Sequence, residues 1–102
     1  MENEKELLHK ALATFGMDSQ LDMAIEECSE LIVAIQHYKR NRVSWDSVAE
    51  ELADVQLMTV QLRTFDPGMF DYFREIKLDR LKDLIKTSGN NQAQTVERVT
   101  PG

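Results

Sequence analysis

Apolar residues recur along this chain every three to four positions, in four runs separated by short polar breaks. That period is helical. The first run, residues 2–15, carries Leu8, Ala11, Leu12 and Phe15, and Gly16 follows where a helix commonly stops. The second run starts near Ser19, with capping-box spacing to Asp22 or with Asp18 as the cap, and extends to about Arg40. Its stripe is Leu21, Ala24, Ile25, Cys28, Leu31, Ile32 and Ile35, and Lys39, Arg40 and Arg42 suit the negative end of the helix dipole. The third helix begins at Ser44 or Ser47. Ser47 and Glu50 have capping-box spacing, while Val43 and Val48 fit a hydrophobic staple around Ser44. It runs to about Phe65, with Val48, Leu52, Val55, Thr59 and Leu62 on one face. Asp66-Pro67 then reads as an N-cap and first-turn proline. The fourth helix, about 67–87, carries Phe70, Phe73, Ile76, Leu78, Leu81, Leu84 and Ile85, and Gly89 marks its end. Residues 88–102, SGNNQAQTVERVTPG, are polar and aperiodic and predict a flexible tail. No segment reads as a strand. The pattern predicts an all-α fold: an antiparallel bundle of about four helices over residues 1–87, completed by oligomerisation because so short a chain has a small core.

Charge narrows the choice of partners. The formal net charge of -6 argues against nucleic-acid binding through a basic surface and fits a site for cations. No apolar run approaches the roughly 18–20 residues of a membrane span, and MENEKELLHK lacks the apolar run of a signal peptide, so the expected compartment is the cytoplasm. The single cysteine, Cys28, excludes an intrachain disulfide and a thiolate metal site within one chain; it reads as a small buried apolar residue.

One feature of the two central helices is not about packing. Glu27 and Glu30 lie three residues apart, on one side of a helix, where like charges repel. At an offset of 24 residues the motif repeats: Glu26 matches Glu50, Glu27 matches Glu51 and Glu30 matches Asp54. The neighbours match too, with Leu31 against Val55. At about 100° per residue, each pair of carboxylates lies along the edge of its apolar stripe. If the stripes face each other, four carboxylates converge, and they need protons, basic partners or a divalent cation. Oxygen ligands alone suit Mg²⁺ or Mn²⁺, and Mg²⁺ is commonly completed by phosphate oxygens. The repeated Glu-x-x-His pattern of di-iron bundles is missing, since the only histidines are His9 and His37.

These motifs carry a resemblance. EExxE at Glu26–Glu30 followed by ExxD at Glu51–Asp54 resembles the MazG-like all-α nucleoside triphosphate pyrophosphohydrolases. The flanks QLDMAIEECSELIVAIQHYKR and VAEELADVQLMTVQL look like short single-domain phage and bacterial members, and KLDRL at 77–81 is similar to their final helix. The likeness covers roughly residues 18–85. It implies Mg²⁺-dependent hydrolysis of a nucleoside triphosphate to the monophosphate and pyrophosphate. It implies Mg²⁺ held by Glu27, Glu30, Glu51 and Asp54, and a homodimer or dimer of dimers with shared sites. The residues fit that chemistry. Glu27 and Glu30 are the candidates for taking a proton from the attacking water, and Glu26 and Glu50 point about 100° away from Glu27 and Glu51. Lys77 and Arg80 share a side of the fourth helix and stand where the resemblance implies phosphate contacts; Arg74, Lys82 and Lys86 are weaker candidates. Trp45 leads a weak set of aromatics for base stacking. The competing expectation is a non-enzymatic helical module that binds nucleotides or a partner protein.

Overall fold

The computed structural model describes residues 2–92. They form four helices, with no strand among the described residues: α1 (Glu4–Phe15), α2 (Met17–Lys39), α3 (Trp45–Arg63) and α4 (Pro67–Gln92). The chain divides into two compact units, Met1–Asp66 and Pro67–Gly102. Among the described residues no helix is long and apolar enough to cross a membrane.

In the first unit α2 packs chiefly against α3, and α1 touches both. Asn3 caps α1 by accepting a 2.8 Å hydrogen bond from the Glu6 amide. Gly16 alone separates α1 from α2, and its amide donates to the Leu12 carbonyl at 2.9 Å. Its φ of 89° lies where an L side chain is strained, so glycine is the residue that permits this corner. Helix α2 therefore begins at Met17, two residues before Ser19, with no side-chain cap. The corner fixes that start, and neither Ser19 nor Asp18 caps it.

The α2–α3 connection is five residues, Arg40 to Ser44. Asn41 adopts φ 59°, its amide donates to the Tyr38 carbonyl at 3.0 Å, and the Arg42 amide donates to the His37 carbonyl at 2.9 Å. This pair of bonds around a left-handed residue is a Schellman termination, with asparagine where glycine is more usual. Ser44 is the residue preceding α3, and Ser47 lies inside the helix. Val48, four positions into α3, is only 2% exposed. Gln61, equally buried, donates from Nε2 to the Leu8 carbonyl at 3.2 Å and ties α3 to α1.

The α2–α3 seam differs from the stripe read in the sequence. On α2 one line of covered positions is Gln20, Ala24, Glu27, Leu31, Ala34 and Tyr38. On α3 a matching line of covered positions is Val48, Glu51, Val55, Met58 and Leu62. Both lines follow the alternating four-three spacing of a helix seam. Leu21, Ile25, Cys28, Ile32 and Ile35 form a second line on α2, one residue round, and all are exposed. Helix α2 thus has two apolar seams about 100° apart, and α3 covers only one. Cys28, expected to be buried, belongs to the uncovered seam and is exposed.

The second unit is built on helix α4. The helix opens at Pro67, as the Asp66-Pro67 signal implies, but continues through Gly89 to Gln92. One glycine weakens a helix interior by about 1 kcal/mol relative to alanine and does not by itself end it. Gly89 lacks the left-handed backbone that a terminating glycine usually takes. Residues 88–92 of the expected tail are therefore helical, and residues 93–102 lie outside the described residues.

Candidate metal centre

The helix spacing that builds the seam also builds the site. Glu27 replaces an apolar residue in the α2 line, and Glu51 does the same in the α3 line. Asp54 follows Glu51 by one turn. One carboxylate oxygen from each of Glu27, Glu51 and Asp54 lies within 4.8 Å of the others. Glu30 is outside this trio, but its carboxylate lies beside Glu51 and within electrostatic reach of Glu27. The first unit therefore brings the four acidic residues of the repeated motif into one neighbourhood.

The neighbourhood is hostile to negative charge. Glu27 Oε2 and Glu51 Oε2 are buried without a hydrogen-bond partner. Burial pushes the Glu27 carboxyl up from its ordinary range, and the charges of Asp54, Glu30 and Glu51 push it further. Burial also raises Glu51, reinforced by Glu30, Asp54 and Glu50. Glu27 lies close enough to Asp54, and Glu51 to Glu30, for each pair to share a proton. Two carboxylates hydrogen-bond each other only when one is protonated. A proton or a bound cation relieves the same strain, and three close oxygens with two orphaned acceptors fit a hard divalent cation.

Beside the carboxylates lies an open cleft of about 380 Å³. Glu30 and Glu51 line it, Val33, Ala34 and Val43 supply apolar wall, and Ser29, His37 and Ser47 supply polar groups. Sequence reasoning missed this cleft, weighing His37 only as a metal ligand. The signal was present: Ser29, Val33 and His37 recur every four residues on α2, as do Val43, Ser47 and Glu51 across the connection and α3. Trp45 does not line the cleft; its ring meets that of Tyr38 edge to face, with centroids 5.3 Å apart.

The remaining candidates stand elsewhere. Glu26 and Glu50 are exposed and outside the close trio. Lys77 and Arg80 are exposed on α4, three residues apart, in the second unit, whereas the trio belongs to the first. Glu6 and His9 on α1 do have Glu-x-x-His spacing, but both are exposed and Glu6 Oε1 accepts from Asn3. No second pair of that kind exists in the chain. Compared with family models, curated proteins and solved structures, the chain has no significant match in any of the three.

Proposed function

We propose that this chain is a Mg²⁺-dependent nucleoside triphosphate pyrophosphohydrolase of the MazG-like kind, acting in the cytoplasm on unwanted nucleotides. One observation carries the reading: glutamates on two helices occupy seam positions, converge with Asp54 within 4.8 Å, and leave two buried oxygens without donors. A merely solvated acidic face has no reason to place carboxylates in the seam. Glu27, Glu51 and Asp54 would hold the cation, with Glu30 at the edge. Bound there, Mg²⁺ supplies positive charge to phosphate oxygens and to the charge that develops in phosphoryl transfer.

The chain's own residues do the rest. Glu30 stands outside the trio and on the cleft wall, which favours it over Glu27 as the group that takes a proton from water. Water oxygen adds to the α-phosphorus, its proton passes to a Glu30 carboxylate oxygen, and the α–β bridging bond breaks. Pyrophosphate leaves with the bonding pair and the monophosphate remains. Lys77 and Arg80 of α4 are proposed to hold the departing phosphates.

The helices are proposed to pack antiparallel, and the chain to act as a homodimer or dimer of dimers. The uncovered α2 seam supports this: Ile25 is 65% exposed and Ile32 59%, and a second copy is the cover that a self-associating bundle supplies. The deciding experiment measures pyrophosphate and monophosphate release from ribo- and deoxyribonucleoside triphosphates, with Mg²⁺ and with chelator. Metal-dependent release of both products is expected. Folded, metal-loaded protein that turns over none of them would exclude the enzyme and favour a nucleotide- or partner-binding module.

A further inference from the structure

We propose that the cleft beside the carboxylates seats the nucleoside half of the substrate, and that His37 is the residue that selects the base. This rests on the pyrophosphohydrolase reading and extends it to specificity. The cleft volume, about 380 Å³, falls in the lower part of the range for small-molecule sites. Its walls have the composition such sites use, apolar surface with a few placed polar groups. Val33, Ala34 and Val43 offer faces to a flat ring, and His37 and Ser47 offer hydrogen bonds to its edge.

The order of residues along the helix gives the cleft a direction. Glu30 precedes His37 by seven residues, about 10 Å of helix rise. A nucleotide whose phosphates meet the carboxylates extends its sugar and base along the cleft toward His37. Among the described residues, no side chain or backbone group hydrogen-bonds the His37 imidazole or the Ser47 hydroxyl, so both are available to a ligand. The Ser29 hydroxyl, by contrast, is committed to the Ile25 carbonyl at 2.9 Å. His37 is also held in place. Its carbonyl accepts from the Arg42 amide at 2.9 Å and from the Arg40 amide at 3.2 Å, so the turn that ends α2 fixes its backbone. Such fixed placement lowers the ordering cost of binding.

The test separates the cleft from the reaction. Nucleosides and nucleoside monophosphates of each base are titrated into the full chain, with chelator and again with Mg²⁺, while amide NMR shifts are followed. Shifts are expected at Ser29, Val33, His37 and Ser47, largest for one base. His37→Ala should weaken that monophosphate about tenfold, the worth of one hydrogen bond to the ligand, and flatten the ranking of bases. His37→Gln should restore part of the ranking, and Val33→Trp, at a half-exposed position that tolerates bulk, should block binding. The same variants are assayed for relative kcat/KM across triphosphates. Turnover with an unchanged base ranking in His37→Ala and Val33→Trp would overturn the cleft and leave the reaction standing. Base-selective shifts without turnover of any triphosphate would keep the cleft and overturn the reaction. Absence of shifts at these four amides for every nucleotide, with and without Mg²⁺, would also overturn the cleft.

Discussion

At the scale of single residues, Glu27 and Glu51 are the most informative positions. Both carboxyls are pushed above the ordinary value of about 4.5 in the metal-free chain. Between that value and the raised one, the folded chain holds more protons than the unfolded chain. Stability from these groups therefore falls as pH rises through that window, and the deficit is complete above it. Glu27→Gln and Glu51→Gln are accordingly expected to raise the metal-free melting temperature at pH 7.5 and to have less effect near pH 4. Thermal unfolding of the three proteins at both pH values measures this; no gain at pH 7.5 would contradict the strain. Mg²⁺ should reverse the order by stabilising only the chain that retains its ligands. Turnover in Glu51→Gln is expected to fall by more than the roughly 10–100-fold that an outer-shell partner costs, with helical content unchanged. Wild-type turnover in that variant would remove Glu51 from the metal site. The paired carboxylates were legible in the sequence because their spacing repeats at an offset of 24. Their place inside the seam was not, because α2 has two apolar lines one residue apart and periodicity does not say which one a neighbour covers.

At the scale of elements, two glycines with opposite roles give opposite expectations. Gly16 has a left-handed φ and forms the whole α1–α2 connection, so Gly16→Ala should destabilise the first unit by about 1–2 kcal/mol. Gly89 sits within α4 without such a φ, and an added Cβ meets nothing within 4 Å. Gly89→Ala should strengthen that end of the helix by roughly 0.5–1 kcal/mol. Denaturant midpoints test the first and amide exchange rates across residues 84–92 test the second. Destabilisation by both would mean that α4 ends near Gly89 as its sequence suggests. Helix existence was readable from apolar period, and Pro67 from its known first-turn preference. Helix ends were less readable. Ser19 and Ser47 both have capping-box spacing, yet Gly16 and Ser44 precede the helices. A cap motif competes with the geometry of the preceding turn, and here the turn decides.

At the scale of the whole molecule, Ala34 and Val48 are the buried apolar side chains among the described residues. Large side chains on every helix stay open to solvent, among them Phe15, Ile25, Leu52 and Leu84. The expected mass in solution is therefore at least twice the 11.8 kDa of one chain, measurable by light scattering at micromolar concentration. Ile25→Glu with Ile32→Glu should shift that mass toward one chain, because buried glutamates would lack partners. A monomeric wild type, or a variant that still associates fully, would detach self-association from this seam. The sequence supports association through its length alone; the particular surface emerges only when one α2 line is seen to be covered and the other left open.

Cys28 lies on that open line, is the chain's sole thiol, and is the next residue after Glu27. The protein therefore comes with one native attachment point for a spin label, without any engineered cysteine. A nitroxide there would sit within relaxation range of Mn²⁺ at the carboxylates. Pulsed dipolar spectroscopy on the same sample would give the label-to-label distance across associated copies. One labelled sample would thus report both whether the carboxylates take a metal and whether the open α2 line faces another chain.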